Sequence, residues 1–222
     1  MSHGPFYYYC PGDGIGIRVG LRNQILGVRV SSGAPLIVLG YIMFHDINVP
    51  VIISKFKSHN LVKDRILNII KNDAGAAIHT ERDNISKTDW RVDSNIPRNY
   101  LDILFDPLSE HLKESYKTLD VIGFKIHNFW YQQYLENSYH DWHNHDSCHY
   151  ANVYFLEMED ASLGTEIKHP TDPNKIIRYD VQEGDILSFP SFLVHRSPKN
   201  IFKSRKTVIS FNVCFLNYKS IH

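Results

Sequence analysis

The stretch His140-Asp141-Trp142-His143-Asn144-His145-Asp146 holds three of the chain's 13 histidines together with two carboxylates. It lies between two runs rich in aromatic and β-branched residues, 124–134 and 150–156, and each run predicts a strand. Residues two apart in an extended segment point to the same side, so His143 and His145 are placed to bind one ion together. The stretch therefore predicts a metal site on a β scaffold.

A second marker follows at 184–190, which reads Gly-Asp-Ile-Leu-Ser-Phe-Pro, with His195 shortly after it. The Gly-Asp pair predicts a tight turn and the next residues a strand, which leaves His195 on a short loop. His195 is the best candidate for a third ligand from a distant strand. Three protein ligands on one face leave open coordination positions, an arrangement typical of non-haem Fe(II), whose usual set is two histidines and one carboxylate. A structural zinc site uses four closed ligands, and the three cysteines are poorly spaced for one.

A basic pair, Arg205-Lys206, precedes a further predicted strand at 207–215. A cation beside the metal suits a dicarboxylate co-substrate, because the cation binds the far carboxylate while the near end chelates the ion. Arg205 is the first choice, since a guanidinium binds a carboxylate through two hydrogen bonds. Lys206 is the rival, because alternation puts the two side chains on opposite faces and the sequence does not decide which one faces inward.

These features together resemble the Fe(II)- and 2-oxoglutarate-dependent oxygenase superfamily, and most closely its prolyl-4-hydroxylase-like branch. The likeness covers about 120–216 and rests on His143-x-His145, the runs 153–156 and 184–190, His195, and the segment 205–212. It implies a double-stranded β-helix that uses Fe(II), 2-oxoglutarate and O2 to hydroxylate a C–H bond with release of succinate and CO2. It also implies that Tyr134 contacts 2-oxoglutarate, because related enzymes often place a tyrosine at a similar distance before the first ligand.

One position departs from the superfamily's pattern. The usual first motif is His-x-Asp or His-x-Glu, whereas this chain has histidine at both 143 and 145. Three possibilities stay open: a ligand set of His143, His145 and His195, which we predict; replacement of His145 by Asp146 through a turn; or a site that binds metal without hydroxylating anything. Asp141 is a candidate for orienting a ligand imidazole.

The rest of the chain predicts an α+β protein, mainly β, with N-terminal helices and a sandwich or jelly roll as its body. The resemblance implies that this body is a double-stranded β-helix, or jelly roll, supported by those helices. A helix is expected from Ser58 or Asn60 to about Lys71. Residues 76–98 are polar and are expected to form a loop with Trp90 as an isolated anchor. Asp106-Pro107 predicts the start of a second helix, since aspartate caps helices and proline suits the first helical position.

Residues 1–42 differ from the rest in composition, with eight of the 12 glycines and no lysine. They are expected to form an N-terminal extension, either a flexible arm or a stretch upstream of a true start at Met43. A single oxygenase domain is expected over 43–222, with helical support at 43–119 and the β-helix core at 120–216.

Composition argues against several functional classes. The formal net charge is +0, with 24 basic and 24 acidic residues and no basic tract, so no nucleic-acid partner is expected. No apolar run reaches the ~18 residues of a membrane span, and the odd number of cysteines favours a reducing, cytoplasmic setting. The substrate is expected to be a protein side chain or a small molecule. The alternative function is a cupin-like metal enzyme, an isomerase or a three-histidine dioxygenase that does not use 2-oxoglutarate. That alternative leaves Arg205-Lys206 unexplained.

Overall fold

A computed structural model describes residues 50–93, 95–119 and 121–216 of the 222-residue chain. The expected extension at 1–42 lies outside these residues. The helices are α1 (His59–Lys71) and α2 (Leu101–Ser115). The strands are β1 (Ile52–Lys55), β2 (Ala76–His79), β3 (Asp83–Thr88), β4 (Gly123–Tyr134), β5 (Tyr139–His143), β6 (Tyr150–Glu157), β7 (Glu166–His169), β8 (Asp172–Arg178), β9 (Asp185–Pro190), β10 (His195–Ser197) and β11 (Lys206–Leu216).

All the strand pairs described are antiparallel and belong to one curled sheet. The strand order is β1-β9-β6-β11-β4-β3-β5-β10-β7-β8, and β2 pairs with β3. Strand β3 joins a larger half, β1-β9-β6-β11-β4, to a smaller half, β5-β10-β7-β8. A cavity between the halves is lined by both of them. This jelly roll with two helices confirms the predicted fold class, α+β and mainly β.

Alternate side chains of β11 point to opposite faces of the sheet, one facing the hydrophobic core and the other facing the inside of the curl. Ile209, Phe211 and Val213 point to one side and belong to the hydrophobic core that contains the buried faces of α1 and α2. The side chains between them point the other way, into the curl of the sheet. The helices therefore cover the outer face of the larger half and leave its inner face to the cavity.

The predicted start of the second helix was wrong. Helix α2 begins at Leu101, and Pro107 lies inside it. Tyr100, Leu104, Leu108 and Leu112 recur every four residues and are all fully buried. Burial of this stripe favours helix upstream of the proline and offsets the hydrogen bond that Pro107 cannot make.

The expectation of a loop at 76–98 was also wrong in part. Strands β2 and β3 form a hairpin, and β3 pairs with both β4 and β5. Its apolar pattern is weak, because only Ile78 and Ile85 are buried hydrophobic residues of the hairpin. The strands are fixed by long-range pairing, which a local pattern does not reveal. No helix in the described ranges is long and apolar enough to cross a membrane.

Candidate metal centre

Three histidines converge where β5 meets β10. His143 ends β5, His195 begins β10, and the two residues are direct cross-strand partners. His145 lies just beyond β5, where its backbone N–H donates to the carbonyl oxygen of Ser191 at 3.0 Å. One ligand atom from each of the three imidazoles lies within 4.8 Å of the other two. The structure thus brings the three predicted ligands into one group.

The hydrogen bonds of two of these imidazoles fix which nitrogen faces the site. Nδ1 of His143 lies 2.7 Å from the carbonyl oxygen of Asp141, and Nδ1 of His195 lies 2.9 Å from that of Leu193. A carbonyl oxygen only accepts, so each Nδ1 carries the proton and each Nε2 keeps its lone pair for a metal. The predicted partner Asp141 therefore orients His143 through its backbone, while its carboxylate pairs with Arg82 at 3.3 Å.

Burial keeps the three imidazoles neutral. Desolvation lowers the pKa of His143, lowers that of His145 to about 4, and lowers that of His195 well below its usual value. Neutral imidazole is the form that binds a metal ion. The site is therefore ready to bind metal at neutral pH without first releasing protons.

Asp146, the alternative to His145, is exposed and is not among the residues whose ligand atoms converge. Its neighbour Ser147 has a positive φ of 59°, which marks a turn just after the histidine pair. This turn does not direct the Asp146 carboxylate to the other two ligands.

The cavity inside the curled sheet is bounded on one side by the three histidines. Alternate residues of β4 and β11 line it, as the period of a strand requires. Its space is narrow, about 30 Å³. The polar residues that line it beside the histidine triad include Gln132, Tyr134, Asn152, Ser197, Lys206, Ser210 and Asn212.

Arg196 lines this cavity but pairs with Glu166 at 2.6 Å, so the cation left inside it is Lys206. Its side chain is buried, and its Nζ donates to the carbonyl oxygen of Leu163 and to Ser197 Oγ at 2.9 Å. The same ammonium lies 5.2 Å from the ring centroid of Tyr134. No carboxylate in the described ranges forms an ion pair with it. A buried cation without a counter-ion is costly, so this position favours an anionic ligand.

Arg205, the first choice as the co-substrate anchor, lies outside the cavity. Its guanidinium pairs with the carboxylate of Glu157 through contacts of 2.8 and 3.2 Å, and its side chain is 39% exposed. Arg205 directly precedes β11, and adjacent residues of an extended chain face opposite sides, so Lys206 points inward and Arg205 does not. Tyr134, the predicted co-substrate contact, is buried and lines the cavity.

Lys206 also makes the stability of the protein depend on pH. Burial lowers its pKa to about 7, partly opposed by Glu166, whereas lysine in an unfolded chain titrates near ~10.4. Between these values the unfolded chain binds more protons, so the free energy of unfolding rises with pH. We expect Lys206→Met to be more stable than wild type at pH 6.5, and this advantage to shrink by roughly 1–2 kcal/mol at pH 8.5. Urea unfolding of both proteins at the two pH values measures this. An advantage that does not change with pH would contradict it.

Several residues that the sequence analysis did not select also line the site. The imidazole of His140 stacks on that of His143 with centroids 3.9 Å apart, and its Nδ1 lies 3.2 Å from Gln132 Nε2. The indole of Trp130 lies 5.7 Å from the ring of His145. Gln132 and Trp130 lie two and four residues before Tyr134 on β4, so they share its face of the strand. This alternation is the sequence signal that could have placed them in the cavity.

No protein-family profile matches the sequence, and no curated protein does. Solved structures do match the fold. One is a prolyl-4-hydroxylase from Pseudomonas putida, with 12% identity, a TM-score of 0.53 and coverage of 75% of this chain and 92% of that one. A 2OG-Fe(II) oxygenase family oxidoreductase from Burkholderia pseudomallei matches at 13% identity and a TM-score of 0.54, over 74% and 85% of the two chains. A prolyl hydroxylase from Trichoplax adhaerens, in complex with a hypoxia inducible factor peptide fragment, matches at 15% identity and a TM-score of 0.53. The match covers 74% of this chain and 83% of that one. At these identities the likeness shows a shared fold.

Proposed function

We propose that this chain, which has the fold of the 2OG-Fe(II) oxygenases, is an Fe(II)- and 2-oxoglutarate-dependent dioxygenase. It would hydroxylate a C–H bond of a protein side chain or small molecule, with release of succinate and CO2. The observation that carries this proposal is the lining of one cavity, which combines three neutral imidazoles with a buried lysine that forms no ion pair within the described ranges.

The imidazoles fit Fe(II) as a donor set. His143, His145 and His195 would hold the ion, because their ligand atoms converge within 4.8 Å and two of them have an Nε2 lone pair fixed by a backbone hydrogen bond. Three ligands on one face leave positions open for a co-substrate and O2. When bound, Fe(II) supplies the redox chemistry with O2 that the protein's own side chains lack.

The other residues of the cavity fit 2-oxoglutarate. We propose Lys206 in place of Arg205 as the anchor for the far carboxylate, with Tyr134 beside it, since both side chains line the cavity. An ammonium that now bonds a carbonyl and a hydroxyl oxygen gains a charged acceptor when the dicarboxylate binds. Because the cavity is narrow, the side chains that line it must shift to admit the co-substrate.

One observation favours a second candidate, a three-histidine dioxygenase that does not use 2-oxoglutarate. The group of converging ligand atoms found among the described residues contains no carboxylate, unlike the usual two-histidine-one-carboxylate set. This candidate gives no role to the buried ammonium of Lys206, so we rank it second.

Anaerobic titration with Fe(II), with and without 2-oxoglutarate, tests the proposal. We expect a weak visible charge-transfer band that needs both additions, and succinate formation once O2 is admitted. Iron binding without the band, together with O2 consumption that does not need 2-oxoglutarate, would support the second candidate. Failure to bind iron would overturn both.

A further inference from the structure

A second cavity, of about 250 Å³, lies beside the same histidines. His140, His143 and His145 line both cavities, together with Trp130 and Gln132. The far side of the second cavity is the β2–β3 hairpin, which contributes Ile78 and Ile85. The cleft therefore contacts the histidines of the candidate metal centre, and Lys206 is not among the residues that line it.

Two tryptophans form an aromatic row along this cleft. Trp90 is 48% exposed, and its ring packs edge-to-face on that of Trp130 with centroids 4.5 Å apart. Trp130 in turn lies 5.7 Å from His145. Trp90 is thus not the isolated anchor expected from the sequence. It extends an apolar surface from the metal ligands to the solvent.

A buried network of hydrogen bonds fixes the position of Trp90 at the surface. The carboxylate of Asp89, the preceding residue, is 1% exposed and accepts hydrogen bonds from the backbone N–H of Tyr131 at 2.7 Å, from Arg98 Nε at 2.9 Å and from Tyr100 Oη at 2.9 Å. A buried carboxylate is stable only when its acceptor sites are satisfied in this way. The network fixes the backbone that presents Trp90, and a half-exposed aromatic held in place is typical of a binding surface.

The lining of the cleft contains a cation that is free to bind an anion. Arg91 lines it and is exposed, and its guanidinium has no hydrogen bond or ion pair within the described ranges. The acidic residue of the lining, Asp83, already accepts from the backbone N–H of Asp141 at 3.2 Å and lies 3.7 Å from His140 Nε2. Asp83 therefore has hydrogen-bonding partners, whereas Arg91 is the charged residue of the lining that has no polar partner within the described ranges.

We propose that this cleft binds the primary substrate and takes a carboxylate carried on an aromatic or branched apolar group. Arg91 binds the carboxylate, and Trp90 and Trp130 contact the apolar part. The inference rests on the proposed function for its chemical outcome, although binding itself needs neither metal nor co-substrate. A volume of about 250 Å³ lies below the ~300–1,000 Å³ of pockets for drug-sized ligands, so the cleft suits one group of side-chain size.

Quenching of tryptophan fluorescence in the metal-free protein tests this. The probes are 3-phenylpropionate and its uncharged amide, which differ only in the carboxylate. We expect the acid to bind about tenfold more tightly than the amide, because a charge-assisted hydrogen bond replaces a neutral one. Arg91→Gln should reduce this preference to within about twofold, and Arg91→Lys should keep part of it. Equal binding of the two probes to wild type, or a preference that survives in Arg91→Gln, would overturn the proposal.

Matched variants locate the effect. Arg65→Gln makes the same change at an exposed position on α1 and should leave the preference unchanged. Lys206→Met should also leave it unchanged, which would show that the acid is not occupying the co-substrate cavity. Trp90→Phe should reduce the quenching to the part that Trp130 reports, and Trp142→Phe should leave it unchanged, because Trp142 does not line the cleft. Loss of the preference in Lys206→Met but not in Arg91→Gln would show that the acid binds in the cavity that contains Lys206, and would refute the inference.

Turnover distinguishes this inference from the proposed function. With Fe(II), 2-oxoglutarate and O2 present, the acid should raise the rate of succinate formation and the amide should raise it less. Selective binding of the acid without any succinate would support the cleft and count against the oxygenase. The same comparison with capped peptides containing Phe-Glu or Phe-Gln separates a free acid from an acidic protein segment as the source. Stronger stimulation by the Phe-Glu peptide than by the free acid would identify a protein substrate.

Discussion

Lys206→Met is expected to raise the 2-oxoglutarate concentration needed for half-maximal succinate formation by about 100-fold or more. Loss of one partner from a buried, hydrogen-bonded charge pair costs ~2–5 kcal/mol of binding free energy, and ~2.7 kcal/mol corresponds to 100-fold. Fe(II) binding should stay near the wild-type value, because Lys206 is not among the converging ligands. Succinate assays over a range of 2-oxoglutarate concentrations, with Fe(II) titrations beside them, measure both effects.

The neighbouring residue provides the control. Arg205→Gln removes a positive charge one position away, just before β11, from a side chain that pairs with Glu157 outside the cavity. We expect its half-maximal 2-oxoglutarate concentration to change by less than about twofold and its stability by ~0–1 kcal/mol, as for other surface ion pairs. If Arg205→Gln impaired the use of 2-oxoglutarate and Lys206→Met did not, the anchor would be Arg205, as first expected from the sequence.

The choice between these two residues shows what the sequence could and could not provide. A strand pattern establishes that adjacent side chains face opposite sides, but it gives no absolute direction. That direction comes from the pairing of Lys206 with Tyr134 and from the helices packed on the opposite face. The two-residue spacing of His143 and His145 carried more information, because it placed both side chains on one face whichever way that face pointed.

The hairpin of β2 and β3 was missed for a related reason. Its residues have little local preference for strands, and its pairing partners lie in β4 and β5, about 45–60 positions downstream in the chain. The cleft beside the candidate metal centre depends on this hairpin, so the cleft could not be inferred from the sequence. His140 was missed because its role depends on stacking against His143, a contact that the spacing of the two residues does not predict.

Replacement of His145 is the second experiment with a large expected effect. His145→Ala leaves two imidazoles in a group that has no carboxylate to complete a facial set. We expect the affinity for Fe(II) to fall by more than the roughly 10- to 100-fold typical of losing a group that only orients a ligand, and the charge-transfer band with 2-oxoglutarate to disappear. Anaerobic titrations of Fe(II) into wild type and variant, with and without 2-oxoglutarate, measure the change.

Two further variants test whether the third ligand must be an imidazole or can be a carboxylate. Asp146→Ala should bind Fe(II) as wild type does, because the Asp146 carboxylate is exposed and lies outside the converging group. His145→Asp creates the two-histidine-one-carboxylate set that Fe(II) oxygenases usually have, so it should keep the ion where alanine does not. Loss of iron in Asp146→Ala with retention in His145→Ala would make Asp146 the ligand. If His145→Asp binds iron and forms succinate, the chemistry needs three ligands on one face, and the imidazole at 145 is one of two ways to supply the third.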